Sequence, residues 1–259
     1  MSLVRREDRA VGVRYLVLDS PATRNALSDE LLDELLAALA EARDDAAVRV
    51  VVLTSSHERI FSAGGDLKAF ADDRGMAEKY QGLDRFPRLF TLIGELGKPV
   101  VCAANGDVLA GAFGIALACD LVIAADSARF GCPEINVGVF PFMISALIYR
   151  NIPRMRANEL MMLGELVTAE EGKDLGFVNR VVPAAEFDAE TLAWAERIAG
   201  KSPLLMRLGK DALAATRDLA FGEALEALRT QLALAFGTED MREGVAAFRE
   251  KRDPEWKLR

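Results

Sequence analysis

Three stretches of this chain carry residues able to do chemistry. Phe61-Ser62-Ala63-Gly64-Gly65-Asp66-Leu67 sets two consecutive glycines behind a β-branched apolar run, Val50-Val51-Val52-Leu53-Thr54, and ahead of a helical pattern that Asp66 would cap. Without a Cβ, glycine lets a ligand atom approach the peptide N–H, and a helix start adds a field favourable to negative charge. That combination suits an oxyanion hole, although two glycines would equally serve a plain tight turn. Residues 98–105 read as a second buried strand, and Gly106, Gly111 and Gly114 follow before an apolar helical run to Cys119-Asp120. Two bare-backbone helix entries make a pair of N–H donors. In the third stretch, Phe130-Gly131-Cys132-Pro133-Glu134, one carboxylate precedes the apolar residues Ile135, Val137, Val139 and Phe140. Desolvation there would raise its pKa and suit it to proton transfer, whereas a lone glutamate is by default a surface or structural group.

Other chemistries find little support. The glycines do not spell G-x-G-x-x-G and no G-x-x-x-x-G-K-[ST] occurs, so dinucleotide and nucleoside-triphosphate loops are disfavoured. His57 is the only histidine, in a polar loop, which rules out a His-rich metal site. Cys102, Cys119 and Cys132 lack C-x-x-C spacing and read as small buried hydrophobes. The formal net charge of −8 argues against non-specific binding to nucleic acid or an anionic membrane. No N-terminal apolar segment and no apolar run of about 18 residues occurs, so a cytoplasmic protein is expected.

The elements that must hold these residues alternate. Residues 11–19 read as a strand, and Ser28 caps a helix whose Leu31, Leu32, Leu35, Leu36 and Leu39 recur at helical spacing. Strands at 48–54, 98–105 and 121–125 alternate with helices at 66–73, 74–97 and after Gly111, which indicates parallel pairing through crossovers; short strands near 128–130 would add a layer. Beyond about Pro153 the pattern turns to helices, at 156–163, 168–175, 183–200, 203–221, 223–236 and 238–251. In the 223–236 helix, Leu225, Leu228, Leu232 and Phe236 form a stripe that fits a subunit interface or an intrachain core.

Residues 61–68, Asn105-Gly106 through Cys119-Asp120, and Phe130-Gly131-Cys132-Pro133-Glu134-Ile135 together resemble the enoyl-CoA hydratase/isomerase (crotonase) family. The resemblance covers nearly the whole chain, with Pro21 and Arg24-Asn25-Ala26-Leu27 near the start and Arg242-Glu243-Gly244, Phe248 and Lys251 near the end. It implies an α/β, crotonase-like (ClpP/crotonase) spiral of ββα units with a helical C-terminal trimerisation region, divided at a soft boundary into residues 1–190 and 191–259. It implies that the Gly65 and Gly111 amides hold the oxygen of an acyl-CoA thioester as it becomes an enolate, with Glu134 as acid/base. Arg24, Ala26, Ala63, Asp66, Leu67, Leu109, Pro133, Phe142, Phe248 and Lys251 match substrate or CoA positions, the last two often serving a neighbouring subunit. The partners implied are an acyl-CoA substrate and further copies of the chain, as a homotrimer or a dimer of trimers. No cofactor is implied beyond the coenzyme A of the substrate.

One departure bears on the reaction. In hydratases of the family a second glutamate stands three positions after the second oxyanion glycine, and here that position is Gly114. A single carboxylate with an oxyanion hole resembles the family's enoyl-CoA isomerases, which move a double bond through a dienolate. Hydration of a 2-enoyl-CoA is the alternative, with Asp107 or Glu95 as a possible substitute acid, and a catalytically weak acyl-CoA-binding protein is an alternative of another class. The bulky Pro141-Phe142-Met143-Ile144-Ser145 run would either reshape the acyl pocket or pack the core.

Overall fold

The computed structural model describes residues 2–66 and 75–259. Its central feature is a repeated unit that adds one strand to each of two sheets. The large sheet has the order β1-β2-β3-β5-β7-β10, from β1 (Val4–Ala10), β2 (Val13–Leu18), β3 (Val50–Ser55), β5 (Val100–Ala104), β7 (Leu121–Ala125) and β10 (Arg180–Val182). The small sheet has the order β4-β6-β8-β9, from β4 (Ile60–Ser62), β6 (Asp107–Leu109), β8 (Arg129–Gly131) and β9 (Leu166–Thr168). Each pair β3–β4, β5–β6 and β7–β8 leaves the large sheet for the small one; helices carry the chain back after β4 and β6, whereas after β8 they lead to β9 in the same small sheet before β10 rejoins the large one. All pairings are parallel except β1 with β2 and β8 with β9. The expected spiral of ββα units is thus the architecture observed.

Strand periodicity separates two cores. Leu16, Leu18, Val51, Leu53, Cys102, Ala104 and Val122 point toward the small sheet and the helices, whereas Tyr15, Val17, Val50, Val52, Val101, Ala103 and Ile123 point the other way. Both faces are covered, which explains why these strands read as unbroken apolar runs. The first core takes α1 (Asp29–Asp44), capped by Ser28, whose Oγ accepts from Leu31 N. It also takes α3 (Arg85–Gly94), which packs against both α1 and α4 (Gly111–Ala118). The second core is closed by α8 (Phe187–Ala199), through Phe187, Ala195 and Ala199. Residue 190, the expected soft boundary, lies inside α8.

Several expectations need correction. The helix expected over 74–97 is broken into α2 (Met76–Gly82) and α3, because Pro87 lacks the N–H that a continuous helix would need there and fits only a first turn. The helix expected over 66–73 lies outside the described residues, apart from Asp66. Strand β1 was not expected: Arg5, Arg6, Glu7, Asp8 and Arg9 hide its alternation, and they form ion pairs along an exposed edge. The region beyond Pro153 is not wholly helical, since β9 and β10 rejoin the two sheets between α6 (Arg154–Leu163), α7 (Ala169–Asp174) and α8. Three-residue strands bounded by helices leave too short a period to read.

The C-terminal helices are α9 (Pro203–Thr216), α10 (Phe221–Phe236) and α11 (Glu239–Glu250). Lys210 joins α9 to the core. Its Nζ donates to Asp120 Oδ2 at 2.6 Å and to the Lys98 carbonyl at 3.0 Å, and the same Asp120 oxygen accepts from Val100 N. The end of the chain folds back on Asp240, which is fully buried and accepts from Ser202 Oγ and from the amides of Lys257 and Leu258. Among the described residues, no helix is long and apolar enough to cross a membrane.

Candidate functional site

The first glycine loop leaves β4 strapped to the early loop. Asn25 is fully buried at φ 52°, a left-handed conformation that asparagine tolerates. Its Oδ1 accepts from Ser20 N at 2.7 Å, and its Nδ2 donates to Ser55 Oγ at 2.7 Å and to the Phe61 carbonyl at 3.0 Å. Ser62 Oγ donates to the Asn25 carbonyl and accepts from Gly64 N. Ala63 N donates to the Arg24 carbonyl and Leu27 N to the Gly64 carbonyl, so Leu27 and Gly65 form a parallel bridge. These bonds occupy the amides of Ala63 and Gly64; the Gly65 amide takes part in none of them. Asn25 and Ser62 are site-building residues that sequence reasoning did not single out, and the signal available was an Asn four residues after Pro21 in a turn.

The second glycine loop follows β6. Ala110 sits at φ 52°, ψ −127°, a conformation rare for a residue with a side chain and costing on the order of 1–3 kcal/mol. It is held by Ala110 N donating to the Gly131 carbonyl and Phe113 N donating to the Ala110 carbonyl, both at 2.9 Å. The Gly111 amide, at the first position of α4, has no acceptor within the helix. The two loops touch: a Cβ on Gly64, whose φ is 88°, would lie 2.5 Å from Ala110 Cβ and 2.8 Å from the Leu109 carbonyl oxygen. A Cβ on Gly111 would lie 2.9 Å from Phe86 Cε1 and 3.2 Å from Leu27 Cδ1.

Glu134 enters from the neighbouring strand. Strand β8 pairs with β6, placing Gly131 opposite Leu109, and a 3-10 turn, Pro133–Val137, then presents Glu134. Its Oε2 is buried with no hydrogen-bond partner among the described residues. Burial pushes its carboxyl up to about 7, partly opposed by a hydrogen bond from its own backbone amide. The buried Cys132 thiol beside it is pushed up by burial and by the carboxylate.

The substitute acids lie elsewhere. Asp107 opens β6 and is clamped by Arg129, Nη2 to Oδ2 at 2.6 Å and Nε to Oδ1 at 3.1 Å. Glu95 is exposed at the end of α3, on the rim of a surface groove of about 690 Å³ between α1 and α3 that also takes in Leu36 and Thr91. At Gly114 itself a Cβ would lie 2.4 Å from Ile144 Cγ2 and 2.8 Å from Phe90 Cζ.

The structure places Gly65 and Ala63 on the first glycine loop, Arg24 and Ala26 on the early loop tied to it, Leu109 and Gly111 at the second glycine loop, and Pro133 and Glu134 on the turn after the neighbouring strand β8. Asp66 follows directly, and Leu67 lies outside the described residues. Phe142 opens α5 (Phe142–Asn151) with its ring against Phe140 and is 75% exposed, while Ile144 of the same run is buried. Phe248, 86% exposed, and Lys251, at the C-cap of α11, stand on the surface of the C-terminal helices. His57 serves its loop, its Nδ1 accepting from Arg59 N.

The chain is similar to known proteins over nearly its whole length. The family model described as Enoyl-CoA hydratase/isomerase matches residues 8–259. The chain is 34% identical over 258 residues to 2,3-dehydroadipyl-CoA hydratase of Escherichia coli, covering 99% of this chain and 98% of that one. It is 35% identical over 252 residues to carnitinyl-CoA dehydratase of Proteus mirabilis, covering 95% of each. Among solved structures, an enoyl-CoA hydratase from Bacillus anthracis superposes with a TM-score of 0.94 at 31% identity, over 99% of this chain and all of that one.

Proposed function

The chain belongs to the enoyl-CoA hydratase/isomerase (crotonase) family of acyl-CoA enzymes, and we propose that within it this protein shifts the double bond of an enoyl-CoA with Glu134 as its single acid/base. The observation that carries this reading is the pairing of one half-buried carboxylate, whose Oε2 is buried with no hydrogen-bond partner among the described residues, with a closed position at Gly114. A carboxyl group pushed to about 7 is near balance between its two forms at neutral pH, which suits taking a proton and giving it back. With a 3-enoyl thioester, Glu134 removes a proton from the carbon between carbonyl and double bond. The electron pair moves onto the thioester oxygen, giving a dienolate held by the Gly65 and Gly111 amides. Each such donor contributes about 10²–10³ in rate. Glu134 then returns the proton to the far carbon, and the double bond ends conjugated to the carbonyl. Arg24, Ala26, Ala63, Asp66, Leu67, Leu109, Pro133 and Phe142 line the acyl-CoA path in this reading. Phe248 and Lys251 serve a neighbouring subunit of a trimer, which the exposed apolar residues of α10 support.

Hydration is the second reading, favoured by the names of the relatives, which are hydratases and a dehydratase. Separate incubation of wild type and Glu134→Gln with 3-hexenoyl-CoA and 2-hexenoyl-CoA decides between them. Migration by wild type, lost on substitution, with no water added, is the outcome expected. Rapid conversion of 2-hexenoyl-CoA to the 3-hydroxyacyl thioester would replace it with hydration.

A further inference from the structure

Gly111 and Gly114 are three residues apart and so share one face of α4. Each is covered by an aromatic ring of α3, Gly111 by Phe86 and Gly114 by Phe90, with the two rings 6.0 Å apart. Over Gly114 the cover is doubled, because Ile144 of α5 reaches in with Cγ2 where a Cβ would stand. Gly114 and Ile144 are buried, and the groups met there by a Cβ on Gly114 are all apolar. Water holds a place only where polar partners fix it, and among the described residues the three nearest atoms to that position are all carbon.

We propose that Ile144 and Phe90 are specificity-determining residues: by filling the space over Gly114, one helical turn from the Gly111 amide, they keep water and any second acid away from the enolate. The choice between migration and hydration is then a matter of shape at Gly114, with Glu134 common to both. This rests on the isomerase reading above. Hydration would need a water whose oxygen bonds to the β-carbon while its proton ends on the α-carbon. Such a water needs a place to stand and a group to take its proton, and the seal removes the first. A carboxylate introduced at position 114 cannot be seated while Ile144 stays, since its Cβ would fall inside the isoleucine methyl.

The test compares wild type, Gly114→Glu and the double variant Gly114→Glu with Ile144→Ala, assayed with 3-hexenoyl-CoA for migration and 2-hexenoyl-CoA for hydration. The double variant is expected to raise the ratio of hydration to migration at least about tenfold over wild type, and Gly114→Glu alone is not. Equal gains in both variants, or a folded double variant with the wild-type ratio, would overturn the proposal. Should the double variant fail to fold, the near-isosteric pair Ile144→Thr and Ile144→Val settles it by migration of 3-hexenoyl-CoA in deuterium oxide. Threonine, which brings a hydroxyl able to hold water, is expected to raise solvent deuterium in the product at least about threefold over valine. Equal incorporation would overturn the proposal. Wild type inactive in migration would instead strike the isomerase reading, so the two failures are told apart.

Discussion

Helices α4 and α10 are both rich in apolar residues and have opposite fates. In α4 every residue from Ala112 to Leu117 is buried, and in α10 none is, with Phe221 80% exposed. One lies between the sheets and the helices that carry the site; the other lies in a C-terminal region where Leu225, Leu232 and Phe236 of its apolar stripe are left exposed. The contrast teaches that apolar composition does not by itself fix burial within one chain, and that under the proposed function the carboxylate and the exposed apolar stripe would do different work.

Variants can break or sharpen that contrast. The largest effect is expected at Glu134, where Glu134→Gln should lower migration by about 10²–10⁴ while leaving the particle mass in place and, above about pH 7, raising rather than lowering the melting temperature, because the neutral amide is spared the desolvation that the buried carboxylate suffers. A measured loss in mass would join the two regions after all. The same group sets a pH dependence. Its folded-state value of about 7 stands above the ordinary 4.5, so the folded chain holds the proton longer than the unfolded chain does. Stability therefore falls as pH rises through the window from about 4.5 to about 7 and is flat above it, by roughly 1–3 kcal/mol after allowance for partial exposure. Activity moves the opposite way, rising toward a plateau above about pH 7 as the base form fills, and a pH–rate profile reads it.

Gly64→Ala comes next. It forces a Cβ onto Ala110 Cβ at 2.5 Å and a side chain onto φ 88°, and should cost about 1–3 kcal/mol and at least about tenfold in rate, seen by denaturant unfolding and turnover. At the seam between the regions, Lys210→Met removes the partner of Asp120 from a side chain 7% exposed. Since Asp120 is 34% exposed, the loss should be nearer about 2 kcal/mol than the 3–5 of a fully buried pair, measured as a shift in denaturant midpoint with the pH–rate profile unchanged. The smallest effect on the protomer is expected on α10. Leu225→Lys with Leu232→Lys should change unfolding free energy by no more than about 0.5 kcal/mol per site. Sedimentation of wild type is expected to show the proposed trimer, and of this variant single chains. A trimer that survives would move the interface elsewhere.

Much of the first region was legible. The strands β3, β5 and β7 stand out because both of their faces are buried, and the glycines after them are where a chain must pass close to another backbone. The Ser28 cap and the leucines of α1 are equally plain. What escaped shares a physical cause. Strand β1 carries a run of charged residues at an edge that hides its alternation; β9 and β10 are too short for a period; the break before α3 turns on one proline. Ala110 gives no hint of positive φ, because the conformation is imposed by Gly131 and by the touching loop at Gly64.

The sequence by itself determined the alternation of buried strands and helices, the bare-backbone helix start at Gly111, the lone Glu134 and the empty side chain at Gly114, because those follow from residue type and local period, whereas the ββα order came from the resemblance to the family. Only the tertiary structure decided that Asn25 straps the first loop, that Arg129 takes Asp107, and that Phe90 and Ile144 close on Gly114. Those contacts join residues far apart in the chain, and no local pattern encodes a distance across a fold.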